Sequence, residues 1–406
     1  MKTRIFSFAA CLLAFHGSVA SQGQITSQYV EGLTPMNFPI MDGSDSTTPL
    51  RTILMSKLFD FGFEWYGSMF LQNPNKFMSV SCDYSRCSKE EKDRLLDCMQ
   101  KNNTHQSFVN LLDGKGEIVI AARGISRDEA DYAERLGVTL IEKPIAKDAL
   151  SFMVNFDNPV SKLTTKQIQD IYTGKLTNWK EVGGNDAPID PFLRNANSGS
   201  QEKFETMVMA GLEIMDFPVY RIGQTMASPY YYIEKEENGI AFTPYYYFKY
   251  IAQVNGMKVV AVDGVYMTKD NIENGTYPYV SDVVAAVRSD IDRSSMAYKV
   301  FEFLTTPVGQ DFVGESGYVT IDDWLAAPVA GVAAPQAVLA VDGRSVSVVS
   351  ECSPASVEVT DMGGRLVHRA AMHGRTAMLP VLPGGVYVVS VSLADGSVLK
   401  SKAVLE

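Results

Sequence analysis

Two neighbouring stretches decide the fold of this chain: NPVSKLTTKQIQDIYTGKLTNWKEVGG at residues 158–184 and RNANSGSQ at residues 194–201. The second places Arg194 and two serines around Gly199, just ahead of a helical pattern that begins near Glu202. The first N–H groups of a helix lack internal partners, a glycine lets the backbone approach closely, and an arginine adds a planar charged fork. Taken alone, this motif fits either a small oxyanion site or a plain capped loop.

The longer stretch predicts a short helix followed by a tight turn. Thr164 or Thr165 can supply the N-cap, and Gly174 can end the helix. Trp179 then anchors a turn that two consecutive glycines close at residues 183–184. The apolar residues that share one face of this helix are Ile168, Ile171 and Tyr172.

These residues resemble the PstS-like substrate-binding proteins of phosphate ABC transporters. In that family an NP, LT, GK, TNW and GG series precedes an arginine and a Ser-Gly-Ser or Ser-Gly-Thr loop. Further matching blocks follow in the family's order at residues 238–247, 262–265 and 303–310. The resemblance covers roughly residues 36–322. It implies an α/β, two-lobed type II periplasmic-binding-protein fold whose ligand lies in the cleft between the lobes.

The alternation of strands and helices from residue 38 onward also predicts an α/β protein, with mostly parallel sheets. Apolar periodicity and capping residues predict helices at residues 50–59, 104–112 and 126–136. Short apolar runs predict strands at residues 38–41 and 117–122, and a further strand that begins at residue 138.

The resemblance implies that the chain forms one lobe, crosses to a second and then returns. Lobe I would comprise residues 36–146 and 262–322, and lobe II residues 147–261. The two crossings would then fall near residues 146–150 and 254–262.

The composition changes after residue 322. Residues 323–335 are rich in alanine, valine and proline, which indicates a linker, whereas residues 336–406 alternate apolar and polar residues between glycine turns. We expect a small all-β module there, an immunoglobulin-like sandwich. Its runs at residues 361–367 and 382–389 resemble the C-terminal sorting domain of type IX secretion. A generic immunoglobulin-like accessory module is the alternative.

The first residues, 1–20, are typical of a secretory signal peptide. Lys2 and Arg4 precede an apolar core too short to cross a membrane, and Ser18-Val19-Ala20 fits a cleavage site. We therefore expect an exported protein, either periplasmic or at the cell surface.

Four cysteines remain after that signal: Cys82, Cys87, Cys98 and Cys352. Because an exported chain meets oxidising conditions, we expect one local disulfide, with Cys87–Cys98 favoured. The cysteine spacings match no zinc pattern.

Length and charge limit the classes of function. A chain of 406 residues with 46% apolar residues is long enough for two or three globular domains. Its net charge of -11 argues against nucleic acids and anionic membranes as partners. A locally positive anion site remains compatible with this acidity.

Two-lobe oxyanion sites draw donors from several loops. Ser46 and Thr47 precede the first helix, and Thr104 and His105 begin a later one. Ordinary helix caps and a surface histidine are the alternatives for these four. The complete candidate set is Ser46, Thr47, Thr104, His105, Arg123, Arg194, Ser198, Gly199 and Ser200.

Arg123 marks a departure from the family pattern. Phosphate-binding members carry an aspartate after the strand at residues 118–122, and this carboxylate accepts the proton of hydrogen phosphate, which sulfate lacks. Here no acid follows that strand, and Arg123 faces either the ligand or solvent. Asp45 is the other candidate acceptor. The resemblance therefore implies an oxyanion more firmly than it implies phosphate.

We expect a non-enzymatic solute-binding protein that captures phosphate or a related tetrahedral oxyanion by hydrogen bonds and hinge closure. No nucleophile set, metal spacing or nucleotide loop stands out, so neither a cofactor nor a metal is predicted, and a phosphatase is disfavoured. The predicted partners are the anion and either an ABC permease or the type IX secretion machinery, with a monomeric chain. The alternative function is a cell-surface or adhesion-type protein that reuses the fold without transport.

Overall fold

A computed structural model describes the chain in three long ranges and a set of C-terminal strands. It divides the chain into two compact units, residues 1–325 and 326–406. The described residues are 24–67, 77–196, 198–321, 337–342, 345–350, 354–361, 366–371, 376–378, 385–393 and 398–405.

Ten α-helices, thirteen strands and six short 3-10 or π-helical segments lie in the described part of the first unit. The helices are α1 (Thr48–Leu58), α2 (Lys89–Cys98), α3 (Thr104–Leu112), α4 (Arg127–Leu136), α5 (Thr165–Tyr172), α6 (Gly199–Lys203), α7 (Ser228–Lys235), α8 (Lys269–Glu273), α9 (Met296–Phe303) and α10 (Pro307–Glu315). The strands are β1 (Met41–Gly43), β2 (Phe63–Gly67), β3 (Met78–Cys82), β4 (Ile118–Ala121), β5 (Leu140–Asn155), β6 (Lys162–Leu163), β7 (Asp190–Pro191), β8 (Leu193–Arg194), β9 (Ile222–Gly223), β10 (Gly239–Pro244), β11 (Met257–Val259), β12 (Ala261–Val262) and β13 (Val280–Arg288).

Local capping residues fix the helix ends where the sequence predicts them. The Thr164 hydroxyl accepts from the Gln167 amide at 3.1 Å, and the Gln167 side chain accepts from the Thr164 amide at 2.8 Å. This reciprocal capping box begins α5. Gly174, with a φ of 74°, lies just beyond the helix in the left-handed region that favours glycine. The predictions for α1, α3, α4 and α5 are confirmed.

The first predicted strand lies three residues later than expected. The sequence pattern places it at residues 38–41, whereas β1 runs from Met41 to Gly43. Phe38 is buried in the core without belonging to the ladder. Parallel pairing with β4 begins only at Met41, opposite Ile118.

A mixed seven-stranded sheet organises the first unit, with the order β1-β4-β13-β5-β10-β7 and β11 paired to β5. The pairs β1–β4 and β7–β10 are parallel. The pairs that β5 and β13 form with their neighbours are antiparallel. The prediction of mostly parallel sheets is therefore wrong, while the α/β class is confirmed. The difference arises because β5 and β13 run in opposite directions through the middle of the sheet.

Two large hydrophobic cores and one smaller cluster lie along this sheet. The first core includes Phe38 and Phe301, and the second includes Phe152 and Trp179. The sixteen-residue strand β5 contributes side chains to both cores, and its pairing changes from β13 up to Ala149 to β10 from Leu150 onward.

Residues beyond position 262 also contribute to the second core. Met267, Ile272, Tyr277 and Tyr279 all pack in it, just before β13 starts at Val280. The predicted lobe crossings near residues 146–150 and 254–262 stay predictions.

Trp179 ties the turn after α5 to the sheet. Its indole is 1% exposed, and its Nε1–H donates to the Asn238 carbonyl at 3.0 Å, next to the start of β10. This is the anchoring role that the sequence predicts for Trp179.

The described strands of the second unit are β14 (Ala337–Asp342), β15 (Ser345–Ser350), β16 (Pro354–Asp361), β17 (Leu366–Ala371), β18 (Thr376–Met378), β19 (Gly385–Leu393) and β20 (Val398–Leu405). They form two antiparallel sheets, β14-β15-β18 and β17-β16-β19-β20. Alternate residues are buried, including Val357 and Val359 of β16 and Val389 of β19. Such alternation is typical of a sheet covered on one face.

The predicted disulfide is absent from the described residues. Cys82, Cys87 and Cys98 are free thiols, so the favoured Cys87–Cys98 bridge is not formed in this structure. Burial raises the pKa of the Cys98 thiol to about 11, because it disfavours the charged thiolate. Cys352, the predicted signal peptide and the predicted linker at residues 323–335 lie outside the described residues.

Within the ranges described, no helix is both long and apolar enough to cross a membrane.

Candidate functional site

A small cavity of about 90 Å³ lies where the ends of several elements meet. Parallel strands β1 and β4 end at the same edge of the sheet, which brings the loop at residues 44–46 beside Ala122. The first turn of α3 adds Thr104. The loop from β8 into α6 closes the other side.

Six of the nine predicted site residues line this cavity together. They come from three loops that lie far apart in the sequence. These residues are Ser46, Thr104, Arg194, Ser198, Gly199 and Ser200.

Arg194 is the buried cation of the site. Its side chain is 6% exposed, and its Nε–H donates to the Gly223 carbonyl at 3.1 Å. Its Nη1 atom lies 3.4 Å from Ser200 Oγ. The hydroxyl oxygens of Ser198 and Ser200 lie 2.9 Å apart. The structure therefore orients a guanidinium and two hydroxyls toward one small volume.

Burial also sets the electrostatics of Arg194. It lowers the pKa of the guanidinium to about 10, and the nearby Tyr247 and Asp45 oppose this effect. Arg194 thus remains a cation at neutral pH. A buried cation of this kind is favourable for binding an anion.

Gly199 brings the two sides of the cavity into contact. A Cβ atom at this position would lie 2.8 Å from Thr104 Oγ1, closer than ordinary van der Waals contact allows. Glycine is therefore needed here for close approach, as the sequence motif suggests.

The Thr47 hydroxyl supports the loop and does not line the cavity. Its Oγ1 lies 2.7 Å from the Ile120 carbonyl and 2.9 Å from the Ser44 carbonyl, and the residue is fully buried. The sequence cannot distinguish this use from an anion donor, since both place a hydroxyl just before α1. The placement of Thr47 at the ligand is thus corrected.

Arg123 and His105 point to a buried carboxylate instead of the cavity. The Arg123 guanidinium donates to Glu129 at 2.8 and 2.9 Å, and its Nε lies 2.7 Å from Glu202. His105 Nδ1 lies 3.1 Å from Glu129 Oε1. Arg123 thus faces neither the ligand nor open solvent, because two carboxylates hold it between α4 and α6.

Several residues that line the cavity are absent from the predicted site. Asp45, considered only as an alternative acceptor, does line it. The polar residues that received no role are Ser44, Asn103, Asn195, Lys203 and Gln224. Lys203 carried a signal, because it lies one helical turn after Ser200 and would share its face.

Lys203 and Asp148 form a buried pair of opposite charges beside the cavity. Burial lowers the pKa of Lys203 and raises that of Asp148, and each group opposes the shift of the other. Asp148 Oδ1 accepts from the amides of Ala149 and Tyr246 at 2.8 and 3.0 Å. Lys203 Nζ and Asp148 Oδ2 have no hydrogen-bond partner among the described residues.

A larger depression of about 580 Å³ lies beside β2 and β3, away from this cavity. Its charged lining residues are Glu64, Asp83 and Lys92. Two carboxylates against one ammonium make it a poor anion site. Across the described ranges, no group of histidine, cysteine, aspartate and glutamate side chains is arranged to hold a metal ion.

Two curated relatives each match about half of this chain. The phosphate-binding protein PstS of Borreliella burgdorferi is 25% identical over 210 residues, which cover 50% of this chain and 72% of that protein. The phosphate-binding protein PstS of Staphylococcus epidermidis is 29% identical over 196 residues, which cover 47% of this chain and 59% of that protein. The match to the second relative therefore spans less than two thirds of its length.

A solved structure gives a fold comparison. It is described as a phosphate ABC transporter substrate-binding protein from Clostridium perfringens with bound phosphate. It is 24% identical, covers 70% of this chain and 98% of its own, and has a TM-score of 0.50. At this level the likeness concerns the fold alone.

The family match covers both sides of the cavity. The profile of the PBP superfamily domain matches residues 98–308, which is more than half of the chain. This range contains Thr104 and the loop from Arg194 to Ser200. The chain belongs to the PBP superfamily.

Proposed function

We propose that this protein is a solute-binding protein that captures inorganic phosphate or a related tetrahedral oxyanion without covalent chemistry. The observation that carries the proposal is the buried Arg194 guanidinium, which shares a small cavity with the hydroxyls of Ser198 and Ser200. A charged donor and hydroxyls in one small volume form a suitable set for an oxyanion.

The size of the cavity supports a small ligand. Its volume of about 90 Å³ is far below the ~300–1,000 Å³ that sites for drug-sized ligands occupy. A nucleotide would not fit, whereas an ion of five heavy atoms is of the right order. The names of the two curated relatives, both phosphate-binding proteins, support the same class of ligand.

Asp45 is our candidate for the acceptor that distinguishes phosphate from sulfate. It lines the cavity and lies close enough to raise the pKa of Arg194. Its carboxylate would accept the proton of hydrogen phosphate and repel sulfate. This assignment replaces the acid that the family places after β4, where Arg123 is already paired with Glu129.

Closure of the two lobes around the anion would complete the site. The contact between Gly199 and Thr104 joins loops from the two sides, and β5 is the continuous element between the two cores. We propose hinge bending at β5 and β13 as the motion that opens the cavity.

We further propose export of the chain, with delivery of the anion to an ABC permease as the role of a monomeric protein. The β-strands after residue 336 favour a second candidate, a surface-displayed binder whose C-terminal β-sandwich is a type IX sorting domain. These two roles share the same anion site and differ in where the protein resides.

Titration calorimetry of the purified full chain with phosphate, sulfate and a phosphate monoester tests the proposed ligand class. We expect saturable binding of phosphate, and an Arg194→Ala variant should bind on the order of a hundredfold more weakly because a charge-assisted donor is lost. Arg127→Ala, which removes an exposed arginine on α4, is the control. No binding of any of the three anions at millimolar concentration would overturn the proposal.

A further inference from the structure

One buried ammonium group beside the cavity has no partner. Lys203 is 3% exposed and lines the cavity, and its Nζ makes no hydrogen bond with the described residues. Arg194, by contrast, already donates to the Gly223 carbonyl. The site therefore contains a second cation whose hydrogen-bonding capacity is unused.

Lys203 is not simply half of a closed ion pair. Asp148 and Asp282 are the opposite charges that favour the charged form of Lys203. No salt bridge of 4.0 Å or less joins Lys203 to Asp148 among the described residues, and Asp148 Oδ2 also has no hydrogen-bond partner. A buried charge without hydrogen bonds is costly. If Lys203 and Asp148 served only to stabilise the fold, a direct salt bridge between them would be more favourable than their separation.

The position of Lys203 fits contact with a ligand. It lies one turn after Ser200 on α6, and Ser200 faces the same cavity as Arg194. Asp148 lies on β5, on the strand that connects the two cores. The carboxylate favours the charged form of Lys203 against the effect of burial, and it makes no hydrogen bond with Nζ.

We propose that Lys203 Nζ donates directly to the bound anion, so that the site holds its ligand between two buried cations, Arg194 and Lys203. This inference rests on the proposed function. It gives the tetrahedral oxyanion a second charge-assisted donor besides Arg194.

The competing explanation is structural. A water molecule could bridge Lys203 Nζ and Asp148 Oδ2, because both atoms lack partners and lie close to the cavity. Lys203 would then stabilise β5 and α6 without touching the anion. The two explanations differ in what removal of the ammonium does to anion affinity.

The test is calorimetry of the full-length Lys203→Met variant with phosphate and with sulfate at one pH. We expect the affinity for whichever of these anions the unaltered protein binds to fall on the order of tenfold to a hundredfold, as for loss of a charge-assisted hydrogen bond. Lys175→Met is the matched control, because it removes the same charge from an exposed position near the second core. It should change the affinity less than about twofold, since exposed charges are screened.

An affinity of Lys203→Met within twofold of the unaltered protein overturns the inference while leaving the proposed function intact. Absence of anion binding by the unaltered protein overturns both. A crystal structure of the unaltered protein with phosphate provides a measurement that does not depend on folding of the variant. Nζ within about 3.2 Å of a phosphate oxygen supports the inference. A water between Nζ and Asp148 in place of that contact contradicts it.

Discussion

At the scale of single residues, Gly199 shows how little space separates the two sides of the site. We expect Gly199→Ala to weaken anion binding by about tenfold or more, because the added methyl group would meet Thr104 Oγ1 at 2.8 Å and hold the loops apart. The measurement is calorimetry with phosphate. Gly62→Ala is the control for general effects on the fold, because this exposed glycine lies outside the left-handed region and its added Cβ would meet Asp83 only at an ordinary 3.5 Å. Unchanged affinity would mean that the loops can shift without cost.

Arg123 is expected to matter for stability rather than for binding. Removal of its guanidinium in Arg123→Met leaves Glu129, which is fully buried, with only His105 and the Ser126 amide as partners. Loss of one partner of a buried ion pair costs about 3–5 kcal/mol. Urea denaturation should show this loss, while phosphate affinity should change little.

Arg135→Met is the control for the Arg123 variant, since Arg135 is exposed at the end of α4. A strong loss of phosphate affinity in Arg123→Met, with stability preserved, would return Arg123 to the site.

At the scale of elements, α5 depends on its reciprocal capping box. Thr164→Ala removes the hydroxyl that accepts from the Gln167 amide, so we expect a loss of about 1 kcal/mol in the free energy of unfolding. Ser161→Ala, an exposed hydroxyl just before β6, should have almost no effect. Equal stability of the two variants in urea denaturation would show that the cap contributes nothing measurable.

The helices were predictable from sequence because their signals are local. Thr164 and Gln167 are three residues apart, and Ser126 and Glu129 repeat the same arrangement at the start of α4. The sheet was harder to predict, since β13 pairs with β5 across more than a hundred residues and only the fold sets their antiparallel direction.

The site, like the fold, has a part that local sequence signals predict and a part that depends on distant partners. The half of the cavity formed by residues 194–200 was predictable, because its donors lie close together in the sequence. The role of Thr47 and the pairing of Arg123 depend on Ile120, Glu129 and other distant partners. Lys203 lies one helical turn after Ser200, but only the fold shows that it is buried and that it lines the cavity.

At the scale of the whole molecule, the anion should stabilise the first unit by joining segments that lie far apart in the sequence. The cavity draws on loops that precede α1 and α3 and on the loop after β8, so a bound anion would contact all three. Any ligand that binds only the folded state adds about 2.7 kcal/mol at a free concentration one hundred times its Kd. The final prediction is therefore a rise in the midpoint of thermal unfolding of the full chain with phosphate. Arg194→Ala, with a Kd about a hundredfold higher, should gain only about 0.4 kcal/mol at the same phosphate concentration and so show almost no rise. Chloride at matched ionic strength should leave the unaltered protein unchanged. An equal rise with chloride, or a rise that survives in Arg194→Ala, would mean that phosphate acts through general salt effects rather than through this cavity.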